Sequence, residues 1–412
     1  MTTGPGDRTP HQGGDGPADD AAPAPAPRRR PARLLPRDVL GATAVPPPEP
    51  PGTPGAPAAP AERAAGAGPV RPGERDWERV ADLFREAGSA VLLCHVAPDG
   101  DALGSALAMA LGLSRIGVEA VVSFGEDPQV VPESLSFLPG QEFLVPPAQV
   151  PENADLVAVF DVASPDRLGL LRGAALTARR LVVVDHHASN DAAATGFGTD
   201  LLIDPTAPAT AVLVDELLRR LGVPLTAPIA ACLYTGVATD TGSFRYAATT
   251  PATHELAARL LATGIRHDLM ARALWDTSSF GTLKVLAAAL DRAVLEPGAA
   301  GGLGLVWTVV PRADRERHGV EMAEVEGFID TLRRTAEAEV ALVLKEDDSG
   351  ALLGSSRSKG AVDVGRVCGG LGGGGHALAA GFTSPKSDVA ATVEAFRGLL
   401  EEAVAPGGGP GG

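Results

Sequence analysis

Val91-Leu92-Leu93-Cys94-His95-Val96-Ala97-Pro98-Asp99-Gly100-Asp101-Ala102-Leu103-Gly104-Ser105 is the stretch from which the fold can be read. An apolar run of strand length ends at His95. A short Pro/Gly loop then carries two carboxylates into an Ala/Leu-rich helix. In α/β folds, side chains at strand ends leave the sheet and face the crevice where ligands bind. One imidazole and two carboxylates at such a place are ready ligands for a divalent cation.

The design repeats downstream. Asp155-Leu156-Val157-Ala158-Val159-Phe160-Asp161 and Leu181-Val182-Val183-Val184-Asp185-His186-His187 are apolar runs that end in acids or imidazoles. Continuous apolar strands alternating with helices indicate a parallel sheet covered on both faces. Strand ends of such a sheet lie along one edge, so His95, Asp161 and Asp185 converge.

Around these strands the pattern predicts helices over 101–116, 207–221, 251–263 and 268–275, and a strand over 119–124. A first helix carries Trp77, Val80, Ala81 and Phe84 at helical spacing, and the segment 228–239 leads into Asp240. Residues 279–291 form a connecting helix. A second, smaller alternation follows: a strand over 303–309, a helix over 324–336, and strands over 340–345 and 351–357. A Gly-rich loop over 369–375, His376, a strand over 379–382 and a helix over 389–403 complete it. The domain reading is a Pro/Ala/Gly-rich disordered tail at 1–73, a first domain at 74–278 and a connector at 279–296. A second domain at 297–405 and a frayed end at 406–412 follow.

Composition narrows the classes. The 412 residues are too many for one ordinary domain, and 45% apolar residues suffice for sizeable cores. A net charge of −16 argues against a protein that coats nucleic acid electrostatically. Arg28, Arg29, Arg30, Arg33 and Arg37 form a basic run in the tail that reads as a solvated charge cluster. Cys94, Cys232 and Cys368 form no CxxC pair, so neither a disulfide framework nor a Cys-rich zinc site is expected, and a reducing cytoplasm fits. No run of about 18 apolar residues suggests a membrane span, and the N-terminus shows no apolar leader.

His95, Asp99, Asp101, Asp161, Asp185, His186 and Asp240 each sit at the end of a strand or helix. Singly, each has an ordinary reading as a cap, a loop acid or an incidental histidine. Together they do not. Buried carboxylates repel one another and are costly to desolvate unless a cation compensates. Two divalent cations sharing a carboxylate account for the set, and mixed nitrogen and oxygen donors suit Mn²⁺, with Mg²⁺ or Co²⁺ as substitutes. His254, His267 and His318 have no partner acids in such spacing and read as structural or surface groups.

With these motifs in order, the chain resembles the DHH phosphoesterases, and specifically the DHH–DHHA1 group of nano-RNases and pAp phosphatases. The first motif is His95 to Ser105, the second Asp161, the third Asp185-His186-His187 and the fourth Thr239-Asp240-Thr241-Gly242. The DHHA1 signature is Gly372-Gly373-Gly374-Gly375-His376, preceded by Ser355-Ser356-Arg357-Ser358. The resemblance implies an α/β fold: a parallel-sheet DHH domain plus a smaller α/β DHHA1 domain, with the active site in the cleft between them. It further implies that His95, Asp99 and Asp161 hold one Mn²⁺ and that Asp101, Asp161, His186 and Asp240 hold the other. Asp161 would bridge, Asp185 would orient a ligand imidazole, and His187 would face the substrate phosphate.

Across the cleft, Arg357, Ser356, Gly374, Gly375 and His376 would clamp the substrate's far end, with Arg357 and His376 as charge-assisted donors. Arg245 and Asn190 are further candidate contacts. The implied substrates are short oligoribonucleotides, pApA-type dinucleotides and 3′-phosphoadenosine 5′-phosphate, acted on in the cytoplasm by a possible homodimer paired through the DHH lobe. A DHH inorganic pyrophosphatase or a non-catalytic nucleotide-binding module are the alternatives. The first would lack the Gly-rich signature, and the second would lack a ligand.

Overall fold

The computed structural model describes Met1 and residues 34–40, 71–190, 192–384 and 388–404. The tails expected at 1–73 and 406–412 therefore lie almost wholly outside the described residues. Leu34–Leu40 are described and depart from a free tail. There α1 (Pro36–Val39) buries Val39, Leu40 bridges to Ile265, and Arg266 N donates to Val39 O at 2.7 Å. An apolar side chain and a pair of backbone hydrogen-bonding groups suffice to hold so short a segment.

The first lobe begins with α2 (Glu74–Glu86), whose Val80, Ala81 and Phe84 are buried on one face. Burying a side chain such as Phe84 contributes about 1.5–3 kcal/mol. β1 (Ser89–Cys94), α3 (Gly100–Arg115), β2 (Glu119–Phe124) and β3 (Leu156–Phe160) follow. After α4 (Arg172–Leu176) come β4 (Leu181–Asp185), α5 (Ala192–Thr195) and β5 (Asp200–Ile203). Four helices close the lobe: α6 (Thr210–Arg220), α7 (Ala227–Asp240), α8 (Pro251–Leu261) and α9 (His267–Trp275). The five strands form a parallel sheet in the order β2-β1-β3-β4-β5. Side chains alternate between a larger cluster, with Leu92, Cys94, Phe160 and Val184, and a smaller one, with Val91, Leu93, Val159 and Val183.

Sheet order places the site. The chain leaves β1 for β2 on one side and returns to β3 on the other, so the strand order reverses between β1 and β3. A crevice opens at such a switch point, outside the carboxyl ends of the strands. His95 and Asp161 are the residues that follow those two strands.

The second lobe contains α10 (Phe280–Asp291), β6 (Val294–Glu296), β7 (Leu305–Val310), α11 (Arg312–His318), α12 (Phe328–Leu332) and β8 (Val340–Glu346). β9 (Leu352–Ser358), α13 (Val364–Gly370), β10 (Gly374–His376), β11 (Ala379–Ser384) and α14 (Val389–Val404) complete it. Its mixed sheet runs β10-β11-β9-β8-β7-β6, with β7 and β8 parallel and the other neighbours antiparallel. α10 is more than a connector, because Val285 and Ala289 join the core cluster of Val306, Val343 and Ile329.

Several elements differ from the periodicity reading. The helix expected over 324–336 is a 3₁₀ turn at Met322–Val325 and the short α12. The segment 369–375 is not a loop throughout: Gly369 and Gly370 end α13, and Gly374–His376 form the edge strand β10. Pairing with β11 imposes that strand on glycines whose own preference for it is weak. A Cβ on Gly375 (φ 141°) would lie 2.6 Å from Ala379 O, so the close approach admits only glycine.

Candidate active site

Four segments meet at the switch point. β1 delivers His95, and the loop after it delivers Asp99, which caps α3: its Oδ1 accepts from Asp101 N and Ala102 N at 3.0 Å each. That leaves Oδ2 facing His95 Nε2 at 3.7 Å. β3 delivers Asp161, β4 delivers Asp185 and His186, and α7 delivers Asp240 from its last turn. α3 and α7 cross at contact distance because small residues line both. A Cβ on Gly104 would lie 2.6 Å from Cys232 O, and one on Gly236 would lie 2.6 Å from Asp101 Oδ1.

Asp161 is the hub. Its Oδ2 lies 3.7 Å from His95 Nε2, and its Oδ1 lies 3.5 Å from both His186 Nε2 and His187 Nδ1. Thr210 Oγ1 donates to Oδ1 at 2.9 Å. His95, Asp99 and Asp161 form one group of convergent ligand atoms, Asp101, Asp161 and His186 a second, and Asp161, Asp185 and His187 a third. Asp240 Oδ2 completes the second from 3.0 Å off His186 Nε2. Asp161 has φ 61°, a left-handed backbone that costs a non-glycine residue about 1–3 kcal/mol. Ala97, Ser243 and Phe244 share that conformation in neighbouring site loops. Strain is thus concentrated where ligands are aimed.

The electrostatics are those of buried carboxylates crowded against imidazoles. Burial raises the Asp101 carboxyl well above its usual range, and the charges of Asp161 and Asp240 raise it further. Its oxygens nevertheless accept from Thr210 N at 2.6 Å and Ala211 N at 2.9 Å, at the positive end of α6. Burial likewise raises Asp240, more than His186 lowers it. Burial alone would raise Asp161, but the hydrogen bond from His95 and the charges of His187 and His186 hold it below the carboxylate range. Burial would lower His95, yet Asp161 and Asp99 bring it up to about 10. His186 Nε2 is buried without a hydrogen-bond partner, although three carboxylates surround it. An orphaned imidazole nitrogen among crowded carboxylates is what a divalent cation would satisfy, so the donors present fit the expected metal pair.

Second contacts set each ring. His186 Nδ1 lies 3.1 Å from Ala207 O and His95 Nδ1 lies 2.8 Å from Val96 O, which turns both Nε2 atoms inward. Asp185 does not hold a ligand imidazole as expected. Its Oδ1 lies 2.7 Å from His187 Nδ1, and its Oδ2 accepts from Asn190 Nδ2 at 2.6 Å. Asn190 also donates to Val162 O at 3.2 Å, so its amide is committed to holding Asp185 rather than offered to the cleft.

From the second lobe, His376 stacks on His187 with centroids 4.1 Å apart. Burial first, then His187 and His186, push its pKa down to about 4. Burial and the neighbouring imidazoles thus favour the neutral form of His376, whose ring N–H can still donate to an anionic phosphate oxygen. Arg357 is half-buried on β9, with Nη1 on Ser356 O at 3.0 Å and Nε 3.9 Å from Asp330. Ser356 does not share its face. Strand alternation pairs it with Leu342 and Ala380, in the core on the α13 and α14 side, where its Oγ has no partner. Arg245 is exposed, and its Nε donates to Gly242 O in its own turn. Gly374 and Gly375 are exposed on the sheet edge, where a strand leaves backbone N–H and C=O groups unpaired.

Sequence reasoning missed four contributors. Thr210 steadies Asp161, and the Arg167 guanidinium lies 3.1 Å from His95 Nδ1. Tyr246 and Arg333 join the lobes: Arg333 Nη1 donates to the Tyr246 hydroxyl at 3.0 Å and its guanidinium lies 4.9 Å from the ring centroid. None lies in a motif or an apolar period, so no local signal marks them.

Two family models match the chain, the DHH family N-terminal domain over residues 89–237 and the DHHA1 domain over residues 304–404. A bifunctional oligoribonuclease and PAP phosphatase NrnA of Thermus thermophilus is 34% identical over 337 residues, covering 80% of this chain and 95% of that protein. The protein of the same name from Bacillus subtilis is 26% identical over 295 residues, covering 71% and 88%. Among solved structures, an exopolyphosphatase-related protein from Bacteroides fragilis superposes with a TM-score of 0.71 at 23% identity, covering 80% of this chain and 96% of that one. That likeness extends over both lobes of the fold.

Proposed function

Because the chain belongs to the DHH family and carries a DHHA1 domain, we propose that it is a two-metal phosphodiesterase of short RNA. It cleaves oligoribonucleotides of a few residues and pApA-type dinucleotides to mononucleotides, and it converts 3′-phosphoadenosine 5′-phosphate to AMP. At the coarser level it is a DHH hydrolase acting on phosphoesters. The observation that carries the finer reading is Asp161, one carboxylate shared by three convergent ligand groups, facing a second lobe across the cleft. Similarity over nearly the full length of a bifunctional oligoribonuclease and PAP phosphatase supports the substrate class.

His95, Asp99 and Asp161 would hold one Mn²⁺, and Asp101, Asp161, His186 and Asp240 the other. When bound, the metal pair supplies Lewis acidity toward the phosphoryl oxygens and lowers the pKa of a water. The protein's own groups do the rest. Asp185, fixed by Asn190, keeps the proton of His187 on Nδ1, so Nε2 is left to face the phosphate or the departing oxygen. Arg357 and the edge of β10 would receive the substrate's far phosphate, Arg357 as a bidentate donor. Stacked His187 and His376 form the floor between them.

We assign residues 74–278 to the catalytic DHH domain and 297–405 to the DHHA1 domain. The three cysteines are buried and unpaired, in keeping with a reducing compartment, and we place the reaction in the cytoplasm. No described helix is long and apolar enough to cross a membrane.

The test is a substrate panel with Mn²⁺ and with chelator: RNA of two to five nucleotides, 3′-phosphoadenosine 5′-phosphate and pyrophosphate. Metal-dependent release of mononucleotide and of AMP is expected. Turnover of pyrophosphate alone would overturn the proposal, and nucleotide binding without any turnover would favour the non-catalytic module.

A further inference from the structure

Three cations and two acids meet where α12 covers the second sheet, and they are unequally satisfied. Lys345 on β8 and Ser355 and Arg357 on β9 project from the same face, because residues two apart and their cross-strand partners point the same way. Lys345 is buried, and its Nζ donates to Glu326 and, at 3.0 Å, to Ser355 Oγ. Its charge is fully met. Asp330, one helical turn beyond Glu326, is instead shared: its Oδ1 lies 3.9 Å from Arg357 Nε and 3.8 Å from Arg333 Nη1. Neither distance is a hydrogen bond. Among the described residues each guanidinium donates one hydrogen bond, Arg357 to Ser356 O and Arg333 to the Tyr246 hydroxyl. None of their other donors is buried without a partner, so those donors face water.

We propose that Arg333 and Arg357 form a seat for a terminal phosphomonoester, with Asp330 as its resident anion, so that the seat selects a dianionic guest over a monoanionic one. The inference rests on the phosphoesterase reading of the cleft and gives Arg333 and Asp330 roles within it. Position agrees. Arg357 pairs with Ala379, and Ala379 pairs with His376. Two strand spacings set the Arg357 Cα about 10 Å from that of His376, on the scale of one nucleoside unit. His376 stacks on His187 beside the candidate metal ligands, so the seat lies one unit away from the reacting phosphate. From the first lobe, Tyr246 accepts the Arg333 hydrogen bond at 3.0 Å and sets its ring centroid 4.9 Å from the guanidinium. The seat is therefore complete only when both lobes meet.

Charge gives the selectivity. Two guanidiniums and one carboxylate leave the seat positive in a chain that carries −16. A phosphodiester brings a single negative charge and only replaces what Asp330 already supplies. A terminal phosphomonoester, with a second pKa of about 6, brings two. It matches both guanidiniums while Asp330, whose side chain is 49% exposed, turns to water. 3′-Phosphoadenosine 5′-phosphate and pApA-type dinucleotides carry such a group at the end remote from the reacting phosphate, whereas the interior of a longer RNA does not.

Equilibrium dialysis on the full chain compares adenosine 5′-monophosphate with its methyl ester, the same nucleoside with one charge fewer, in chelator at about pH 8. Without metal the acidic centre repels phosphate, so binding reports the seat. Wild type should bind the monophosphate at least about tenfold more tightly than the ester. Asp330→Asn should gain affinity for the ester and narrow that ratio to about threefold or less, and Arg333→Ala should weaken the monophosphate about tenfold. Asp330 is half-exposed, so that arm stands even if Arg333→Ala disturbs the lobes. Absent monophosphate binding or equal affinities in wild type overturn the proposal, as does an unchanged ratio in Asp330→Asn. Equal weakening of both ligands in Asp330→Asn also overturns it, since Asp330 would then only hold Arg357 in place. An Arg333→Ala protein that binds the monophosphate as wild type does removes Arg333 from the seat. With Mn²⁺, the kcat/KM preference for pApA over ApA should fall in Asp330→Asn in the same proportion. If neither dinucleotide is hydrolysed, the phosphoesterase reading fails while dialysis still decides the seat.

Discussion

Replacing Asp161 by asparagine isolates the property on which the active site depends. The amide has nearly the shape of the carboxylate and can still accept from Thr210, so the perturbation is one negative charge and one ligand oxygen. Those oxygens lie within 3.5–3.7 Å of three imidazole nitrogens and belong to three convergent ligand groups. A cation that binds only the folded chain stabilises it by RT ln(1 + [L]/Kd), about 2.7 kcal/mol when present at a hundredfold excess over Kd. At about 2–4 °C per kcal/mol for a domain of this size, Mn²⁺ should raise the melting temperature by about 5–10 °C over chelator. If losing the shared carboxylate weakens binding a hundredfold, about 0.4 kcal/mol of that stabilisation remains. The shift then shrinks to about 1–2 °C. Calorimetry with Mn²⁺ and with chelator measures both numbers, and turnover of dinucleotide in the same samples should fall below detection. Asp166→Asn, at a side chain 87% exposed on the neighbouring loop, is the control and should change neither. An Asp161→Asn protein that keeps most of its Mn²⁺-dependent shift, or substantial turnover, would refute the sharing of Asp161 between two metals.

Four further substitutions follow from contacts at that centre and in the lobe facing it. Gly236→Ala should cost about 1–3 kcal/mol and reduce kcat, because its Cβ would meet Asp101 Oδ1 at 2.6 Å and Ala211 Cβ at 2.8 Å. An unchanged urea midpoint would contradict the α3/α7 contact. Asn190→Ala should lower kcat about tenfold while leaving KM and the Mn²⁺ thermal shift in place, since it releases Asp185 and touches no ligand; a rise in KM alone would instead make Asn190 a substrate contact. Ser356→Ala removes a buried hydroxyl without a partner, so stability should hold or rise by about 1 kcal/mol with KM for short RNA unchanged. Arg357→Ala should raise that KM at least about tenfold. Equal KM values for the two variants would argue against the clamp.

Much of the first lobe was legible because its strands are buried on both faces. Such strands must be continuous apolar runs, and β1, β3 and β4 read as that. β5 escaped notice because Asp200–Ile203 is short, half-buried and begins with an acid. In the second lobe, α11, α13, β6 and β10 are brief elements held by their neighbours rather than by their own propensity. The helix expected over 324–336 is interrupted at Gly327, between the 3₁₀ turn and α12, and α12 buries Phe328, Ile329 and Leu332 in the core. Leu34–Leu40 could not be told from the proline-rich sequence around it, since a single buried valine carries no period. Ser356 shows the limit of reading a motif without its pleat. It adjoins Arg357 in sequence, and for that reason points to the opposite face.

Sequence by itself determined the ligand types and their places at chain-local ends. An apolar run fixes where a strand stops, and the side chain at its end is the one that leaves the sheet. Tertiary structure decided which of those residues share a site and in what state. The reversal of strand order between β1 and β3 opened the crevice. The close crossing of α3 and α7 brought Asp101 to Asp240, and the left-handed backbone at Asp161 aimed one carboxylate at three imidazoles. Asp185 turned to His187, and burial with two neighbouring imidazoles lowered the pKa of His376, because burial and charge act through space. Residues 95, 161, 186 and 240 are far apart along the chain, so no local pattern carries the distances between them.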